Sequence, residues 1–106
     1  MATADQLHLQ AIAYAQQGNF AAAIAQWQQA LQQDSKHLLS WQNLAIAQYK
    51  IRDLSNAAES NRRALQLTTD PELQANLQLN LGAALAKLKD FDGVLVDNQI
   101  LPLLRQ

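Results

Sequence analysis

The chain has no cysteine, three glycines, two prolines and aromatic residues at only 6 % of its 106 positions. Each scarcity excludes something. Without cysteine there is no disulfide framework, no thiolate zinc site and no cysteine nucleophile, and a reducing cytoplasm is the expected location. With Val and Thr as scarce as Gly and Pro, a β-sheet is disfavoured. Charge of one sign is also lacking. The formal net charge of −1 removes the electrostatic drive on which nonspecific nucleic-acid binding depends. No stretch approaches the roughly 20 apolar residues of a membrane span. The first residues, Met1 to Gln6, have neither the basic start nor the apolar core of a signal peptide.

Ala, Leu and Gln dominate instead, residues that lose little side-chain entropy in a helix. They are arranged with a period. Leu7, Ala11, Phe20, Ala23, Ala30 and Leu31 recur as Trp41, Ala45, Leu54, Ala57, Ala64 and Leu65, each pair 34 apart (57 − 23 = 34). A chain that repeats at this spacing is a stack of like helical units, each with an apolar face that only its neighbour can cover.

Periodicity and punctuation predict six helices in one domain. The first runs from about Ala4 to Gln17 and is stopped by Gly18-Asn19, residues that tolerate the left-handed backbone of a helix end. The second covers about Phe20 to Gln33, the third about Leu38 to Ile51, and the fourth about Leu54 to Leu67. Asp70-Pro71-Glu72 is the clearest start signal: a cap, a residue suited to the first helical position, and a charge that complements the helix dipole. The fifth helix is expected to end near Leu88. Leu81-Gly82 matches Leu44-Ala45, and Phe91 matches Leu54, both at a spacing of 37 (81 − 44 = 37; 91 − 54 = 37). Three residues are therefore inserted, and Asp90 is expected to cap a sixth helix. Ala11, Ala45 and Gly82 are expected to let helices approach closely, with Tyr14, Trp27 and Trp41 filling the space between.

These residues resemble the tetratricopeptide repeat. The first unit, about 4–37, carries Tyr14, Gly18, Phe20, Ala23, Trp27, Ala30 and Leu31 in that family's places. The second, about 38–71, carries Trp41, Leu44, Ala57, Ala64 and Leu65, but has Gln48, Arg52 and Asn61 where a tyrosine, a glycine and an aromatic belong. The third, about 72–106, keeps Leu81, Gly82 and Phe91 and departs in its last helix, with Val94, Asn98 and Leu101 where Ala, an aromatic and Ala belong. The resemblance implies an all-α fold, a right-handed α-α superhelix or solenoid of three helix-turn-helix repeats and six helices.

The resemblance also implies a role: a non-enzymatic scaffold or adaptor whose first helices line a concave groove for a peptide or partner segment. Transferred position by position, the groove takes His8 and Ile12 from the first unit. The second unit supplies Leu39, Asn43, Ile46, Tyr49 and Lys50, and the third Asn76, Leu79, Asn80, Ala83 and Lys87. Asn43 and Asn80 are equivalent (80 − 43 = 37), and an asparagine amide can pair with a peptide backbone of any sequence. Lys50 and Lys87 are equivalent too (87 − 50 = 37). They suit an acidic side chain or a terminal carboxylate, and they equally suit the negative end of their own helix dipole. The carboxylate clamp of chaperone adaptors is disfavoured, because His8, Ile12, Asn43, Asn76 and Asn80 match it only at Asn43.

Nothing in the sequence calls for catalysis, a cofactor or a metal. Neither His8 nor His37 has an acidic residue at metal-ligand spacing, and no Gly-rich phosphate loop is present. Arg62-Arg63 reads as a solvated helix face. The last helix raises an alternative. Leu95, Ile100, Leu101 and Leu104 make it more apolar than a terminal unit should be. Three explanations compete: the chain is a piece of a longer protein, it is a self-association module that forms a homodimer through that face, or the segment beyond Pro102 folds back on the stack. The first two together are favoured.

Overall fold

A computed structural model of the protein describes residues 2–95. They form five helices and no strand: α1 (Ala4–Gln16), α2 (Phe20–Gln33), α3 (Leu38–Lys50), α4 (Leu54–Leu67) and α5 (Pro71–Leu95). Local chemistry sets the starts. Thr3 and Gln6 form a reciprocal capping box, with Gln6 N–H donating to Thr3 Oγ1 at 3.2 Å and Thr3 N–H to Gln6 Oε1 at 2.9 Å. Asn19 Oδ1 accepts from Ala22 N–H. Asp70 Oδ1 accepts from Glu72 N–H, with Pro71 as the first helical residue, so the start signal read in the sequence works as expected.

Each helix packs against the next, and α1 also touches α3. The radius of gyration, 16.1 Å, exceeds the roughly 13 Å of a compact globule of this length, as a stack requires. The core accordingly comes in two pieces. Ala11, Ala23, Trp27, Leu44 and Ala47 are buried together with Phe20 and Trp41 packed at their edges. Ala57, Ala58 and Ala84 form the second piece under Tyr49 and Leu81. The repeating alanines are the closest points of the stack. Ala11, Ala23, Ala30, Ala57 and Ala64 are all completely buried, so the 34-residue period marks where helices meet.

Two turns at equivalent positions differ in cost. Gly18 ends α1 at φ 79°, and Arg52 ends α3 at φ 64° (52 − 18 = 34). Glycine adopts this left-handed backbone freely, whereas a Cβ there meets the carbonyl oxygen. Arg52→Gly is therefore expected to raise stability by up to about 1 kcal/mol, and Gly18→Ala to lower it by about 1 kcal/mol. Paired urea titrations followed by helical circular dichroism would read both signs, and equal effects at the two turns would contradict the assignment.

Three expectations are corrected. The break near Leu88 and the cap at Asp90 are absent, because α5 continues through both to Leu95. Glycine or a tolerated left-handed residue is what stops α1 and α3. The stretch Lys87-Leu88-Lys89 supplies good helix formers and no such residue. The expected six helices are thus five among the described residues, and residues 96–106 of the sixth lie outside them. Gly82 is exposed, and a Cβ there would meet nothing within 4 Å, so it is not a point of close approach. Tyr14 is 38 % exposed and does not fill an interhelical space. Its equivalent Gln48 is buried and accepts from Ser60 Oγ at 2.7 Å across to α4.

Candidate functional site

The odd-numbered helices present one face with two adjoining cavities, on either side of α3. The larger, about 520 Å³, lies between α3, α4 and α5 and is lined by Ile46, Tyr49 and Lys50, by Asn80, Ala83 and Lys87, and by Arg52 and Asn61. The smaller, about 310 Å³, lies between α1, α2 and α3, with Ile12, Phe20, Trp27, Asn43, Ile46 and Lys50 among its lining residues. Ile46 and Lys50 belong to both, so the two cavities form one groove along α3. Lys50 is held over the Phe20 ring, its Nζ 5.9 Å from the ring centroid, a cation–π distance that fixes the ammonium in the groove.

Of the groove residues expected from the sequence, Ile12, Asn43, Ile46, Tyr49, Lys50, Asn80, Ala83 and Lys87 line these cavities. Leu39, Asn76 and Leu79 are exposed but line neither. Asn43 already spends one N–H on Leu39 O of its own helix, at 3.0 Å. Leu95 lies in α5 and Ile100, Leu101 and Leu104 beyond it, and the side chains of all four fall outside the described part.

His8 departs furthest from expectation. It is 6 % exposed, turned into the stack, and its Nδ1 accepts from Trp27 Nε1–H at 2.9 Å. Burial, and then the nearby His37, hold its pKa below the ordinary 6.5, with Asp5 opposing. Its ring lies 5.3 Å from that of His37. His37 is the N-cap of α3: its Nδ1 accepts from Ser40 N–H at 3.3 Å. That acceptor role leaves Nε2–H to donate to Asp5 Oδ1, at 2.7 Å. Ser40 Oγ is 2.8 Å from the same Nδ1. The order Asp5, His37, Ser40 imitates a hydrolytic triad, but Ser40 is completely buried and no substrate carbonyl can reach it. The arrangement is a cap that ties α1 to the start of α3. Sequence reasoning missed it because Asp5 and His37 are 32 residues apart and histidine is not among the preferred caps.

Arg52 and Asn61 were also missed as groove residues. Both had been noted only as departures from the repeat pattern, and those departures were the available signal. Asn61 stands where the first unit has Trp27 (61 − 34 = 27), and a small amide in place of an indole leaves part of the larger cavity open.

Among the described residues no three His, Cys, Asp or Glu side chains gather as metal ligands, and no helix is long and apolar enough to cross a membrane. Successive antiparallel helices with buried alanines at a fixed period and a groove along one face define a helical-repeat protein. Residues 4–37, about a third of the chain, match the family described as Tetratricopeptide repeat, and this match supports a tetratricopeptide-repeat protein. Comparison with curated proteins gave no match. Repeats of this family generally mediate protein–protein interaction, and its members are typically non-enzymatic scaffolds.

Proposed function

We propose that the chain is an adaptor that holds a segment of a partner protein in the groove along α3. One observation carries this reading: two cavities share Ile46 and Lys50 and together span α1, α3 and α5. A continuous groove with apolar walls and a few amides suits an extended segment better than a small compact ligand. Ile12, Ile46 and Tyr49 offer the apolar contacts, and Asn43 and Asn80 the backbone-pairing amides. In this reading α1–α2 and α3–α4 are complete units of about 4–37 and 38–71, and α5 opens a third that extends over about 72–106.

A partner recovered on the immobilised chain would be titrated calorimetrically against the native protein and against Asn43→Ala combined with Asn80→Ala. Loss of two hydrogen-bonding amides should weaken binding about tenfold or more. Unchanged affinity would exclude the groove. A second reading, self-association, has support in α5, where Leu79 is 73 % and Leu85 38 % exposed. Light scattering over a range of concentrations separates the two, because only self-association gives a dimer.

A further inference from the structure

The larger cavity carries charge of one sign. Among the described residues, Lys50, Arg52 and Lys87 all line it, and no Asp or Glu does. Among the described residues none of the three has a carboxylate within salt-bridge distance; the ion pairs present involve His37, Arg62 and Arg63. Three cations sharing one concavity repel one another, in a chain whose net charge is −1. The arrangement costs energy when empty and attracts an anion.

A second, independent feature lies in the same wall. Asn61 is 3 % exposed. Its Nδ2 donates to Ala57 O at 3.0 Å, one turn back on its own helix, while its Oδ1 is buried with no hydrogen-bond partner. An amide flip does not relieve this, since it would set Oδ1 against Ala57 O. A buried orphan acceptor is a cost to the fold at the wall of this cavity. Arg52 adds a third cost at the same place, since it holds a left-handed backbone that Gly18 holds freely one unit earlier. Strain kept where a glycine would serve points to a use for the side chain.

We infer that this cavity takes an acidic segment of a partner protein, its carboxylates against Lys50, Arg52 and Lys87. The inference rests on the adaptor reading and names the partner's chemistry. A free anion has oxygens for the cations but nothing for the apolar cavity beside them, whereas an acidic segment of chain brings both. The apolar cavity next door, sharing Lys50 and Ile46, then receives an apolar side chain of the same segment.

The test uses the full chain and a labelled peptide alternating leucine and glutamate, beside its glutamine counterpart, at low ionic strength. Fluorescence anisotropy gives affinity, and amide chemical shifts give location. The acidic peptide should bind about tenfold or more tightly than the glutamine peptide, shifting residues around Lys50, Asn61 and Lys87, and Lys50→Glu with Lys87→Glu should reverse the order. Asn61→Trp, which restores the side chain found at Trp27, should close the cavity and abolish binding. The two exposed lysines keep the test open if the tryptophan variant fails to fold. Arg52→Gly should weaken acidic binding while stabilising the fold, a pairing that a merely structural role would not give. Equal binding of both peptides at these residues would overturn the inference and leave the groove reading intact. Failure of the acidic peptide to shift these residues would also overturn it, and the Asn43 and Asn80 titration then judges the groove separately. Equal occupancy by inorganic phosphate or by a single-stranded oligonucleotide would overturn it in favour of a general anion site.

Discussion

Trp27→Ala is expected to cost about 3–5 kcal/mol and to unfold the first helical pair. Trp27 is 2 % exposed and packs with Ala11, Ala23, Leu44 and Ala47, which come from α1, α2 and α3. Three of those four neighbours are alanines, too short to collapse into the space an indole leaves. The loss therefore includes both the transfer energy of the ring and the contacts of an unfilled cavity. A domain of this size holds only about 5–15 kcal/mol in total, and in a stack each unit depends on the next. Trp41→Ala is the internal control. Trp41 is only half-buried, with Nε1–H donating to Ser35 O at 2.8 Å, so its loss should cost clearly less. Urea titration by circular dichroism reads both, and similar midpoints for the two variants would remove Trp27 from its place as the pillar of the first core.

Acidification is expected to destabilise the fold through His8, with the effect beginning near pH 6.5. Burial is the chief cause of the lowered His8 pKa, followed by the charge of His37. The neutral ring is the native form, because Nδ1 must accept from Trp27 Nε1–H. Above the unfolded value of 6.5 both states hold the ring neutral and the full stability is present. As pH falls through 6.5 toward the lowered native value, the unfolded chain takes up the proton first and stability declines. His8→Leu should abolish this slope between neutral and mildly acid pH. It should also cost about 1–3 kcal/mol at neutral pH, since Trp27 Nε1–H then has no acceptor. A series of denaturation midpoints across that window, native against His8→Leu, measures the difference. A slope that persists unchanged in the variant would assign it to another group.

The two experiments address one joint. Trp27 and His8 close the first unit from within. His37, in tilted ring contact with His8 and bonded to Asp5, carries that closure to the start of α3. The pair with Asp5 contributes little by itself, for the Asp5 side chain is 86 % exposed and water screens the attraction. Its effect is local: it links the start of α1 to the N-cap of α3.

Much of this was determined by sequence alone. The alanines at 11, 23, 30, 45, 57 and 64 fixed where helices meet, because a position that must admit a neighbouring backbone tolerates only a small side chain at every repeat. Gly18-Asn19 and Asp70-Pro71 fixed where α1 ends and α5 begins, because caps and left-handed turns are decided by a few adjacent residues. Tertiary structure decided the rest. Whether His8 faces a ligand or an indole depended on Trp27, 19 residues away. The cationic cavity shows the difference most plainly. Lys50, Arg52, Asn61 and Lys87 sit on a helix end, a turn and two further helices. The spacing of 37 put Lys50 and Lys87 on one face, but no spacing announces that Arg52 and Asn61 join them, because three elements must first pack before those four side chains share one volume.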